Sequence, residues 1–149
     1  MRALLAVALA LAAGCSRAPA DPVEALLAEL QAAAEARDAE SFGARLAPAF
    51  QGGPGLGRPE ALAQLKRHFA AYESVALEVY GVESDRDGQA ARVRCVVEFS
   101  GEARKAFGLE GLLPPSAVYR FDLDVAEEGA TWRVRGAAWA PAEAAPTDP

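Results

Sequence analysis

The most constraining feature of the sequence is the run Ser-Ala-Val-Tyr-Arg-Phe-Asp-Leu-Asp-Val, from Ser116 to Val125. Apolar and polar residues alternate along it with a period of two, which is typical of a strand with one buried and one solvated face. The inward set is Ala117, Tyr119, Phe121, Leu123 and Val125, and the outward set is Val118, Arg120, Asp122 and Asp124. Such a strand needs neighbouring strands and a cover over its apolar face, so the run predicts a sheet packed against helices.

Upstream of this strand the sequence predicts three helices. The first is capped by Asp21 and continues to Arg37, with apolar residues recurring at three- and four-residue steps. The second begins after a cap at Asp38 and ends at Pro48. The third occupies residues 59–73 and follows a loop rich in glycine. Together these helices would supply the apolar surface that the sheet requires.

Four strands are predicted after the helices. They cover residues 75–83, 91–99 and 116–125, and a last segment around Trp132, Val134 and Trp139. Turns at 85–88 and 127–129 join them as antiparallel hairpins, and residues 108–113 are predicted to form a helical turn within a long connection. Helices followed by strands, rather than alternating with them, indicate an α+β fold.

Matching inward residues with inward residues gives a predicted register for the sheet. Cys95 then lies opposite Phe121, which lies opposite Val134. The outward face would carry a charged ladder of Arg94, Asp122 and Arg133, with Arg92 beside Asp124. Because arginines flank both aspartates, a solvated ladder explains this pair better than a catalytic dyad or a metal site does.

Composition excludes several classes of function. The formal net charge of -6 over 149 residues argues against binding to nucleic acid or to an anionic membrane through a basic patch. The chain has two cysteines and one histidine, with no spacing suited to zinc, so no metal or other cofactor is predicted. Residues 51–58 contain glycines but lack the strand-loop-helix context and the Lys-Ser/Thr pair of a phosphate-binding loop.

The N-terminus has the shape of a secretory signal peptide. A basic Met1-Arg2 precedes an apolar run from Ala3 to Ala13, which is too short to span a bilayer. The stretch from Leu11 to Cys15 resembles the lipobox of bacterial lipoproteins, with Leu11 one place earlier than the family prefers. The resemblance implies a signal peptide over residues 1–14, a lipid-modified Cys15 and a tether over 15–20. Cleavage after Ala20, which would give a soluble periplasmic protein, is the alternative.

The pattern as a whole resembles the nuclear transport factor 2-like superfamily, over Asp21 to about Pro141. The points of likeness are Ala36-Arg37-Asp38, Phe50, Gly57, Leu65, Phe69, Gly129-Ala130-Thr131-Trp132 and Ala137-Ala138-Trp139. The resemblance implies a domain over 21–140, with N-terminal helices packed into a strongly curved antiparallel sheet, a cone or cystatin-like roll open at one end. Residues 141–149 are predicted to be a disordered tail.

Seven residues are predicted to line the interior of this cone: His68, Phe69, Tyr72, Cys95, Tyr119, Phe121 and Trp132. Enzymes of the family place an Asp or His base with Tyr or Asp donors inside the cone. No carboxylate falls at the inward positions here, so no catalytic residue is predicted.

The leading interpretation is a non-catalytic domain, lipid-anchored in the cell envelope at an outer membrane facing the periplasm. It would bind an apolar small molecule or a protein partner, or form a homodimer. Alternatives are an isomerase- or hydrolase-like enzyme using His68 with Tyr72 or Tyr119, and a purely structural scaffold with a filled core.

Overall fold

The computed structural model of the protein describes residues 21–104 and 116–142. Its elements in chain order are α1 Pro22–Glu35, α2 Ala39–Ala44, β1 Leu46–Gly52, α3 Arg58–Ala71, β2 Tyr72–Asp87, β3 Ala90–Ala103, β4 Ser116–Glu128 and β5 Thr131–Pro141. The predicted lipid-modified Cys15, the tether and the helical turn at 108–113 lie outside the described residues. Neither α1, α2 nor α3 is long and apolar enough to cross a membrane.

The helix caps are those that the sequence predicts. The Asp21 carboxylate accepts a hydrogen bond of 2.8 Å from the Val23 N–H and so satisfies one of the free donors at the start of α1. Asp38 accepts from the Ser41 N–H at 3.0 Å and from its hydroxyl at 2.6 Å. These bonds lower the pKa of Asp38, because they favour its charged form.

The strands form one curved, mixed sheet in the order β1-β5-β4-β3-β2. The pairs β2–β3, β3–β4 and β4–β5 are antiparallel, whereas β1 pairs parallel to β5. The α+β class is therefore confirmed, but the expected purely antiparallel sheet of four strands is wrong. The segment from Leu46 to Gly52, predicted as helix end and loop, instead forms a strand at the edge, where Pro48 costs no ladder bond.

The register between β3 and β4 is confirmed, and the register between β4 and β5 is wrong. Cys95 lies opposite Phe121 as predicted, but Phe121 faces Trp139 rather than Val134. The two turn residues are Gly129 (φ 66°) and Ala130, later than predicted, and a bulge interrupts the ladder between Asp124 and Val125. Both features move β5 along β4 by several residues.

The new register changes the charged ladder on the outward face. Arg94 and Asp122 are ladder partners, as are Arg92 and Asp124, which confirms that part of the prediction. The ion pair, however, runs diagonally from the Arg92 Nε to the Asp122 Oδ1 at 2.9 Å. Arg133, expected beside Asp122, lies opposite Ala126 instead. Because these groups are exposed, the pairs contribute little to stability.

One end of the curved sheet is closed by α1. Its buried residues join the inward faces of the strands in one apolar cluster, whose buried members are Val23, Leu26, Leu30, Leu46, Phe50, Ala91, Val93, Leu123, Val125, Trp132 and Val134. The Arg86 guanidinium lies 4.9 Å from the centre of the Trp132 ring and covers it from outside. Val93 has no exposed surface at all.

The last strand continues beyond the predicted start of the tail. β5 includes Pro141, and the Ala142 N–H donates to the Val118 carbonyl at 2.8 Å. The chain therefore stays hydrogen-bonded to β4 as far as Ala142, because the Val118 carbonyl offers a backbone acceptor at that position. Residues 143–149 lie outside the described part of the chain.

At the end of the sheet away from the α1 cluster, packing depends on a glycine in β3. A Cβ at Gly101 would lie 2.8 Å from the Phe99 Cζ, 2.8 Å from the Tyr72 Cδ1 and 2.9 Å from the Ser74 carbonyl oxygen. We expect Gly101→Ala in the full chain to lower the free energy of unfolding by about 1–3 kcal/mol, because rings and backbone must move apart. Urea unfolding followed by circular dichroism measures this change.

The control is Ser100→Ala at the exposed neighbouring position, which should change the free energy of unfolding by no more than about 0.5 kcal/mol. Equal stabilities for the two variants would show that the aromatic packing at this end is not tight.

Candidate functional site: an apolar cavity

A cavity of about 470 Å³ lies between α1, α3 and the inward face of β2 to β5. Its walls are mostly aliphatic and aromatic side chains. The polar members among the described residues are Gln31, Gln64, His68, Tyr72, Cys95 and Tyr119. None of the described residues along the wall carries a carboxylate, an ammonium or a guanidinium group. Its volume and composition are typical of a small-molecule site, for which about 300–1,000 Å³ is usual.

The cavity exists because α3 covers the sheet without filling the space beneath it. α1 has five buried residues, whereas α3, which is equally long, buries only Phe69. Leu65 of α3 packs beside Phe69 and stays half-buried, since it faces the cavity. Ala61, Leu65 and Phe69 of α3 therefore form part of the cavity wall.

Aromatic side chains of β4 and β5 form one side of the cavity. The ring centres of Tyr119 and Phe121 lie 6.4 Å apart, and those of Phe121 and Trp139 lie 6.1 Å apart. These are ordinary separations for interacting aromatic pairs. Trp139 is 44% exposed although it borders the cavity, which places its ring where the cavity meets solvent.

Gln31 is engaged in holding α1 against the sheet. Its Nε2 donates to the Leu77 carbonyl at 2.9 Å, and the Leu77 N–H donates to the Glu35 Oε1 at 3.0 Å. Both backbone groups of one residue in β2 are thus satisfied from α1. Gln31 fixes the wall of the cavity, and the hydrogen-bonding capacity left for a ligand lies mainly with Gln64, His68 and Tyr119.

His68 lies on the cavity wall in contact with two aromatic rings. Its ring centre is 5.0 Å from that of Tyr72 and 5.3 Å from that of Phe99. The residue is exposed overall, because the open cavity lies beside it. Partial burial of the imidazole lowers its pKa, so at pH 7 the ring is neutral and offers one donor and one acceptor.

Tyr72 and Tyr119 bring their phenol groups to the same region. Burial raises the pKa of Tyr72, and the charge that Tyr119 would carry raises it further. Tyr72 is 1% exposed, and its carbonyl accepts a bond of 2.8 Å from the Arg37 Nη1. Because its pKa is raised, the Tyr72 phenol stays protonated throughout the physiological pH range, so it can donate a hydrogen bond but is not a base.

Cys95 contributes a thiol to the wall. Burial raises its pKa, so the thiol stays protonated and behaves as a small apolar group. Cys95 is a free cysteine in the described structure. It contributes shape, not reactivity, to the cavity.

Six of the seven residues predicted to line the interior border this cavity: His68, Phe69, Tyr72, Cys95, Tyr119 and Phe121. The seventh, Trp132, packs instead in the cluster under α1, because the true register places it opposite Glu127 near the turn. Four aromatic wall residues were missed: Phe42, Phe50, Phe99 and Trp139. Phe50 lies on the unpredicted strand β1, and Trp139 would have followed from the correct register.

A second concavity of about 730 Å³ lies on the outward face of the sheet. Its wall includes Asp85, Asp87, Asp122 and Asp124 together with Arg92 and Arg135. The hydrogen-bonded ion pair with Arg92 lowers the pKa of Asp122, so the charges of Arg92 and Asp122 already compensate each other. No group of three or more potential metal ligands occurs within 21–104 and 116–142. The inner cavity is therefore the candidate site.

No protein-family model and no curated protein matches the chain. Solved structures do resemble it. A candidate scytalone dehydratase from Novosphingobium aromaticivorans superposes with a TM-score of 0.70 at 13% identity, covering 82% of this chain and 83% of the other. A candidate dehydratase of the nuclear transport factor 2-like family from Streptomyces avermitilis gives 0.69 at 17% identity, covering 83% and 96%. A protein with a cystatin-like fold from Caulobacter vibrioides gives 0.65 at 15%, covering 83% and 89%.

At these identities the likeness concerns the fold. More than 80% of each of these three chains is covered by the superposition. The helices and the curved sheet described above are the elements that superpose. The chain therefore has the nuclear transport factor 2-like fold, in the cystatin-like architecture that the sequence predicted.

Proposed function

We propose that this protein is an envelope binding protein that holds an uncharged apolar small molecule in the cavity beneath α3. The observation that carries the proposal is a cavity of about 470 Å³ whose described wall bears no formal charge. Burial of apolar surface there would supply the affinity, at about 25 cal/mol per Å² removed from water. Neutral donors and acceptors at His68, Gln64 and Tyr119 would orient the ligand.

An interior with this much free space favours binding over the filled scaffold. A structural core packs at a density that leaves few voids larger than a water molecule. Here aliphatic and aromatic groups instead surround a space of ligand size, and Trp139 keeps much of its surface exposed beside it.

The second candidate function is a dehydratase-like enzyme. It is favoured by the convergence of His68 with Tyr72 on one wall, where a neutral imidazole could accept a proton and a phenol could donate one. The candidate dehydratases among the similar folds agree with this. The absence of a carboxylate from the described wall makes binding the first choice.

The lipid anchor belongs to the same proposal. Diacylation of Cys15 would hold the mature chain at the membrane, since two acyl chains give stable attachment. The domain would then present its cavity to the periplasm through the tether of residues 15–20.

Native mass spectrometry of the full chain, isolated from its own envelope, tests the binding proposal. We expect a bound mass of about one apolar molecule per chain, which is released on denaturation. Should the protein be an enzyme, incubation with the extracted molecule would convert it to a product lighter by one water. A bare protein mass would contradict the binding proposal.

A cavity-filling substitution tests the location. We expect Val97→Trp, which adds an indole on the cavity wall, to weaken binding of the neutral fluorescent probe N-phenylnaphthylamine at least about tenfold, equivalent to about 1.4 kcal/mol. Fluorescence titration measures the dissociation constant.

The matched control is Val96→Trp, one residue along the same strand. Val96 lies opposite Tyr80 on the outward face, so the same substitution there leaves the cavity unchanged. Equal weakening by both variants would place the probe elsewhere.

The anchor has its own test. We expect Cys15→Ala to abolish labelling of the chain by an alkyne analogue of palmitate and to move the protein out of the membrane fraction. Cys95→Ala should keep both, because that thiol is buried in the domain. Continued labelling of Cys15→Ala would refute lipidation at this residue.

A further inference from the structure

We propose that His68 makes the cavity select uncharged ligands at neutral pH and weakens that preference in favour of anions in acid. This inference rests on the proposed binding function and adds a charge selector to it. Three observations lead to it: the position of the imidazole on the wall, the uncharged character of the remaining wall, and the occurrence of one histidine in the chain.

The neutral wall excludes anions and cations alike. An ionised group moved from water into an apolar cavity loses its hydration and needs an opposite charge to compensate. The described wall offers no compensating charge at pH 7, because His68 is neutral at that pH and every other described wall residue is uncharged. A fitting ligand is therefore an uncharged apolar molecule with a hydroxyl or carbonyl group for the imidazole.

The groups around His68 do not hold it in either protonation state by charge. β2 contributes Tyr72 and β3 contributes Phe99, both as ring contacts. β4 contributes Tyr119 on the same wall, and α3 contributes Gln64 one turn away. Lys66 and Arg67 of α3 are exposed and do not border the cavity. Desolvation is the single cause that lowers the pKa of His68, with no carboxylate opposing it.

Ligand binding and protonation of His68 are consequently linked. The imidazole is only partly buried beside the open cavity, so a neutral ligand that covers it removes water and lowers its pKa further. Between the two pKa values the complex holds fewer protons than the free protein. Affinity for a neutral ligand is then full above the pKa of the free protein and falls as the pH drops toward the pKa of the complex.

An anionic ligand reverses the sign. Protonated His68 is the one cation that the described wall can acquire, and it attracts an anion, so the anion raises the pKa of the imidazole. Affinity for an anion therefore increases as the pH falls. Titration of this one residue should therefore give opposite pH dependences of the affinity for two ligands that differ only in charge.

Two naphthylamine probes provide that comparison. N-phenylnaphthylamine is neutral, and anilinonaphthalene sulfonate has the same aromatic frame with one sulfonate added. The full chain is studied in lipid nanodiscs, with the signal of Val97→Trp subtracted to remove partition into lipid. We expect the dissociation constant of the neutral probe to rise at least about threefold from pH 8 to about pH 5, and that of the sulfonate to fall by a similar factor.

His68→Gln is the decisive variant, because glutamine keeps a donor and an acceptor but does not titrate. We expect both probes to bind it with pH-independent affinity. NMR titration of the single imidazole in the wild-type chain gives a second readout: the neutral probe should lower its midpoint and the sulfonate should raise it.

The outcomes separate the two proposals. Binding of the neutral probe in the cavity with an affinity that does not change with pH, or a pH dependence that persists in His68→Gln, would overturn the role of His68 and leave the binding function standing. No cavity binding of either probe at any pH would overturn both.

Discussion

The structure depends on the burial of one apolar face, shared by β3 and β4, beneath α1. Val93 and Val125 of that face are almost completely buried with Val23 and Leu26 of the helix. This contact closes one end of the curved sheet. It also places the carboxyl end of α1 over β2, where Gln31 and Glu35 satisfy both backbone groups of Leu77. Since an edge strand must satisfy its polar groups somewhere, this pairing holds the helix and the far strand of the sheet together.

The cavity accompanies a difference in length between helix and strand. α1 has 14 residues and rises about 21 Å, whereas the 14 residues of β3 extend about 46 Å, so the helix is less than half as long as this strand. α3 packs through Phe69 against Ala34 and Ala39, and beyond its end Tyr72 packs with Phe99 in a separate cluster. The space beside Leu65 stays open between these two clusters and the sheet. Gly101 lets the Tyr72 and Phe99 rings pack together beside the Ser74 carbonyl without displacing β2.

Sequence reasoning succeeded where alternation alone decides the structure. The β3–β4 register and the polar-outward, apolar-inward assignment follow from side chains such as Cys95 and Phe121, whose burial fixes the pleat. It failed at β5 for two reasons. Alternation shows which residues face inward but does not show which inward residues of two strands lie opposite each other, and the bulge after Asp124 has no sequence signal. It failed at β1 because Pro48 reads as a helix stop, whereas an edge strand tolerates it. The cavity itself depends on how far α3 stands from the sheet, a tertiary distance that no local pattern encodes.

The charges of the molecule are distributed so that the inward and outward faces of the sheet have different chemistry. On the outward face Arg92 and Asp122 neutralise each other in water, where the pair costs little and contributes little. On the inward face a charge of either sign would be partly desolvated and would find no opposite charge, and the described wall carries none at pH 7. His68 is the exception, because the imidazole can be neutral or charged close to physiological pH. A group of that kind on an otherwise uncharged wall is the one place among the described wall residues where protonation adds a charge to the cavity.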